Sequence, residues 1–77
     1  MSYLPNVPGN RVIRALQKAG FVLLRQTGGH AILRHHTDLN RRAIVPVHGS
    51  RPVKQGTLRA ILRGAQIHPE DFIHLLK

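Results

Sequence analysis

Phe21-Val22-Leu23-Leu24-Arg25-Gln26 is a short β-rich run, and after Gly28-Gly29 the apolar residues resume in His30-Ala31-Ile32-Leu33-Arg34-His35. Two glycines between two such runs supply the backbone freedom of a tight turn, so the spacing predicts a hairpin of strands over 21–26 and 30–35. A polar turn over 37–40 follows, and residues 42–47, with Ile44 and Val45 at their centre, predict a third strand. Pro46 falls near its end, where a missing backbone donor is tolerated at a sheet edge. The three strands form an antiparallel meander, which must be covered on one face to bury anything.

The cover comes from helices on either side. Val12, Ile13, Leu16 and Ala19 share one helical stripe over 10–19, with Arg11, Arg14 and Lys18 elsewhere and Gly20 as a stop. Pro8, Gly9 and Asn10 precede it as a turn, and the Asn10 side chain is the expected cap of the first-turn amides. Residues 48–55 read as a loop. Beyond them Leu58, Ile61, Leu62 and Ala65 recur at helical spacing, in a helix expected to begin near Thr57. Pro69, followed by Glu70 and Asp71, opens a short terminal helix carrying Phe72, Ile73, Leu75 and Leu76. The expected fold class is therefore α+β: helix, three-stranded antiparallel sheet, helix, and a short C-terminal helix. Residues 1–7 are read as an extended arm and residues 8–77 as a single domain.

A chain of 77 residues buries only ~60% of the surface its unfolded form exposes, so the core must be small. It has no cysteine, which removes disulfides, thiolate metal sites and a thiol nucleophile together and fits a reducing cytosol. The longest uninterrupted aliphatic or aromatic run, Phe21-Val22-Leu23-Leu24, is far short of the ~20 residues that span a bilayer, and residues 1–8 lack the pattern of a secretory signal. Neither a membrane nor export is expected. Twelve Lys plus Arg stand against three Asp plus Glu, a net charge of +9, spread along the chain in the manner of a folded surface. The expected partner is a polyanion.

The residues available for chemistry narrow this further. Asp38, Glu70 and Asp71 are the only carboxylates, and the last two are accounted for by the terminal helix start, so two-metal phosphodiester cleavage is poorly supplied. Proton transfer alone suffices for RNA, whose 2′-hydroxyl attacks the adjacent phosphate once a base takes its proton. His30 is the candidate, because imidazole titrates near neutrality and Gly28 and Gly29 leave room beside it for a phosphate backbone. A second group must protonate the departing oxygen or stabilise developing charge, and His48, Lys54 and Arg25 are the candidates. Lys54 precedes a helix whose first amides, around Gly56 and Thr57, can meet a phosphate. His35 and His36, adjacent on a strand, are expected to point to opposite faces, and neither a metal nor a small-molecule cofactor is expected. With Tyr3, Phe21 and Phe72 the only aromatics, binding should rest on phosphates and the 2′-hydroxyl rather than on base stacking.

Four blocks in order, Val12-Ile13-Arg14-Ala15-Leu16-Gln17-Lys18-Ala19-Gly20-Phe21, Arg25-Gln26-Thr27-Gly28-Gly29-His30, Val45-Pro46-Val47-His48 and Gly56-Thr57-Leu58-Arg59-Ala60-Ile61-Leu62, resemble the HicA (YcfA) toxin family over roughly residues 8–67. The resemblance implies a fold like that of double-stranded-RNA-binding domains, and an mRNA interferase, an endoribonuclease whose histidine at the start of the second strand falls on His30. It also implies a HicB-type antitoxin that covers the site, in a prokaryotic cytoplasm. Many relatives carry serine where this chain has Gly29. Arg25, Gly28, Gly29, His48, Lys54, Thr57 and Arg59 complete the set of expected RNA or phosphate contacts. The alternative is a non-catalytic RNA-binding module on the same fold.

Overall fold

The computed structural model describes residues 3–77, and Met1 and Ser2 of the expected arm lie outside it. In chain order the elements are α1 (Gly9–Lys18), β1 (Phe21–Thr27), β2 (His30–His35), β3 (Arg42–Pro46), α2 (Gln55–Ala65) and α3 (Pro69–Leu75). The strands form one antiparallel sheet in the order β1-β2-β3, the meander expected from the hairpin spacing. The class is α+β, and Pro69 opens α3 with Glu70 and Asp71 in its first turn, where carboxylates favour the positive end of the helix dipole.

The β1–β2 turn works as its glycines require. Gly28 adopts φ +56°, a conformation that costs a residue with a Cβ roughly 1–2 kcal/mol. Strand pairing then sorts side chains by parity. Phe21, Ala31, Leu33, Ala43 and Val45 are buried on one face, against Val12, Ile13 and Leu16 of α1 and Leu58, Ile61 and Leu62 of α2, with Phe72 of α3 closing the same core. Directly opposed residues of antiparallel strands share a face, so the other face holds Val22, Arg34 and Arg42 in one row, Arg25, Ile32 and Ile44 in the next, and Thr27, His30 and Pro46 in the third.

The register of β1 slips between Leu23 and Arg25, a bulge that brings Arg25 opposite Ile32. Three local expectations need correction. Pro8, not Asn10, is the N-cap of α1; Asn10 lies inside the helix, whose first amides meet the Pro8 carbonyl rather than a side chain. Helix α2 begins two residues before Thr57, with Lys54 as its N-cap and no side-chain cap. His35 and His36 do not diverge: their rings lie 4.7 Å apart between centroids. β2 ends at His35, and the two-residue alternation that would have separated the rings ends with it.

Residues 3–8 carry no helix or strand, yet Leu4 and Val7 belong to the core. This segment straps down the loop ahead of α2. Pro8 bridges Pro52, the Val53 amide donates to the Val7 carbonyl at 2.8 Å, and the Gln55 side-chain amide donates to Asn6 Oδ1 at 3.0 Å. Val53, the loop's inward residue, is buried.

Candidate active site

His30 is the first residue of β2 and is exposed on the uncovered face of the sheet. Its opposite number is Pro46 at the end of β3. The Val47 amide donates to the Gly29 carbonyl at 2.6 Å, and the His35 amide to the Arg41 carbonyl at 2.9 Å. Bonded pairs therefore fall at odd positions of β2, and His30/Pro46 is a non-bonded pair, the type in which facing side chains lie closest. The nitrogen of Pro46 then points away from β2, so its missing hydrogen leaves no gap in the ladder.

Beyond Pro46 the chain turns back, and His48 comes to rest against the β1–β2 turn. A Cβ built on Gly29 would lie 3.1 Å from His48 Cε1 and 3.5 Å from Nδ1. The imidazole thus fills space that a side chain at 29 would claim, which gives glycine a physical reason at this position. The two histidines singled out from the sequence flank one turn, although eighteen positions separate them in the chain.

From His48 the strapped loop leads into α2, and a cavity of about 250 Å³ opens beside it, lined by His48, Arg51, Lys54 and Thr57 with Pro46 in its wall. Three cation- or hydroxyl-bearing residues inferred from sequence, His48, Lys54 and Thr57, therefore meet in one place. Lys54 sits at the N-cap, where the first amides of α2 lack intrahelical partners and the helix dipole is positive. No acidic residue lines this cavity, so its electrostatic preference is for an anion.

Arg51, which the sequence reading does not include among the phosphate contacts, joins the group. Its amide donates to the His48 carbonyl at 3.1 Å, a turn that aims residue 51 back toward the histidine. Its place in the short loop between His48 and Lys54 is the sequence signal for it. Arg25 stands on the same uncovered face as His30, one row further along the sheet, opposite Ile32. Gly28 and Gly29 form the turn itself.

Arg59 does not join. It lines a separate depression with Leu62, Arg63, Ile67 and Pro69, on the side of α2 toward α3. Two residues along a helix turn the side chain by about 200°, so Arg59 points away from Thr57. Among the described residues no group of three or more His, Cys, Asp or Glu side chains converges as a metal site would require, and no helix is long and apolar enough to cross a membrane.

The arrangement puts the His48 imidazole in the wall of an anion-attracting cavity and the exposed His30 opposite Pro46, another residue of that wall. Chemically the cavity can seat a phosphate beside one imidazole. Comparison with known proteins gives one family match: the family described as HicA toxin of bacterial toxin-antitoxin covers residues 9–67. No curated protein matches the chain.

Proposed function

The chain belongs to the HicA toxin family, and on that premise we propose that it is an endoribonuclease toxin that cleaves mRNA by proton transfer, without a metal. His30 is its general acid/base, and a HicB-type antitoxin holds it inactive in a prokaryotic cytoplasm. The observation that supports this reading is His30 exposed opposite Pro46, whose other neighbours His48, Arg51, Lys54 and Thr57 line a cavity without acids.

In the reaction His30 acts at the 2′-hydroxyl or at the leaving oxygen. A base takes the 2′-hydroxyl proton, the 2′-oxygen bonds to the adjacent phosphorus, and the bond to the 5′-oxygen breaks as an acid delivers a proton to it. The products are a 2′,3′-cyclic phosphate and a 5′-hydroxyl, and no water or oxidant is consumed. His48 is the candidate for the complementary proton. Lys54, Arg51, Thr57 and the first amides of α2 hold the phosphate and stabilise its developing charge, while Arg25 holds a neighbouring phosphate along the sheet. With only three carboxylates in the chain, oxygen ligands for a divalent pair are scarce.

The test is RNA incubated with the purified protein in excess chelator, beside His30→Ala. The parent should release fragments ending in cyclic phosphate, and a substrate with a single 2′-deoxy residue at the cleaved position should resist. The variant should be slower by about 10²–10⁴-fold. Equal cleavage by both folded proteins rejects the role of His30, and binding without cleavage by the parent leaves an RNA-binding module.

A further inference from the structure

On the far side of the core from His30, the outer surface of α1 carries cations that the nuclease reading leaves unused. Val12 and Leu16 turn inward and are fully buried. At about 100° per residue, Arg11, Arg14 and Lys18 fall within about 60° of one another on the opposite side of the helix, and all three are exposed. His30 stands on the face of the sheet that no helix covers, so the core lies between it and this stripe.

The end of α3 closes the stripe into a concavity. Arg11, Arg14 and Lys18 line a cavity of about 350 Å³ together with Lys77, Ala15 and Leu75. The Arg11 guanidinium donates to the Leu76 carbonyl at 3.0 Å, and the Lys18 ammonium to the Lys77 carbonyl at 2.6 Å. Cations on the last carbonyls of a helix favour the negative end of its dipole, so these bonds hold α3 against α1. They engage only one of the five N–H donors of Arg11 and one of the three of Lys18. Arg14 bonds to no other group among the described residues, so the capping of α3 gives it no role. Four positive side chains around one depression without an acidic side chain in its lining repel one another, and an anion seated among them turns that repulsion into attraction.

We infer that the cavity between α1 and α3 is a second anion site, one that takes a ligand with two or more phosphate groups. Arg11 and Lys18 stand about 10 Å apart along the helix axis, too far for one phosphate to bridge. Guanidinium forks match phosphate oxygens in pairs, and a phosphate offers more acceptors to converging donors than a carboxylate does. The chemistry is the same for successive phosphates of an RNA strand passing over α1 and for a free polyphosphate. Neither use involves His30, so the inference stands apart from the nuclease reading.

The experiment uses the full chain carrying Lys54→Gln, which weakens the other anion-attracting cavity, and follows amide NMR signals during titration with inorganic tripolyphosphate. The amides of α1 and of residues 75–77 should shift. Adding Arg14→Gln should lower that affinity about tenfold, the loss of one charge-assisted hydrogen bond, at an unchanged melting temperature. Should glutamine at 14 lower the melting temperature, Arg14→Lys carries the test, with a smaller loss because the charge stays and the fork goes. A 2′-O-methyl RNA, which has no 2′-hydroxyl to attack its own phosphate, then identifies the source. If RNA fills the site, Arg14→Gln weakens its binding and reduces the slope of log affinity against log salt by about one. If a free polyphosphate fills it, RNA affinity is unchanged and RNA leaves those amides unmoved. The inference is overturned if neither ligand shifts the amides of α1 and residues 75–77, if Arg14→Gln alters the affinity for neither, or if a glutamate tripeptide binds as tightly as tripolyphosphate. Failure of the parent to cleave RNA removes the nuclease reading and leaves this site standing.

Discussion

The two faces of the sheet use the same three strands for opposite ends. Toward the helices stand Phe21, Ala31, Leu33, Ala43 and Val45, all buried, with no buried charged or polar side chain among the described residues. Away from them stand four basic side chains, His30, Arg25, Arg34 and Arg42, among half-exposed aliphatics. One step along a strand crosses from one regime to the other. In so small a domain the same strands carry both the core and a basic, solvent-exposed face, on alternate residues.

Neighbouring substitutions on β2 test that division most directly. Leu33→Ala removes a fully buried side chain and should lower stability by about 2–5 kcal/mol, a large share of the roughly 4–12 kcal/mol available to a domain of this length. Chemical denaturation should show the midpoint falling. Where the two faces meet, Gly28→Ala should cost about 1–2 kcal/mol, because the turn holds φ at +56°. Smallest is Ile32→Ala on the uncovered face, expected to change stability by less than about 1 kcal/mol. Equal losses at 32 and 33 would mean that the outer face also carries the fold, and the division by parity would be wrong.

Much of this was legible in the chain because it depends on short-range patterning. Two glycines between β-rich runs announce the hairpin, and the 3.6-residue recurrence of Val12, Ile13 and Leu16 announces α1. The place of His30 at the start of β2 was legible as well, since a strand start after a turn needs only local information. What escaped depends on partners distant in sequence or on backbone irregularity. The bulge at Leu23/Arg25 has no glycine to signal it. That His48 packs on Gly29 follows from the β3 register, not from any spacing. His35 and His36 converge because the strand ends between them. The direction of Arg59 is different: helical geometry alone separates it from Thr57, so the sequence contained that information.

The strap formed by residues 3–8 has a consequence for how the molecule can be disarmed. It inserts Leu4 and Val7 into the core and ties down Pro52, Val53 and Gln55, the residues that hold Arg51 and Lys54 in position. Cleavage just before Pro8 would free Leu4, Asn6 and Val7, and with them the bonds to Val53 and Gln55, while Pro8 stays joined to α1 and every Lys and Arg side chain stays in the chain.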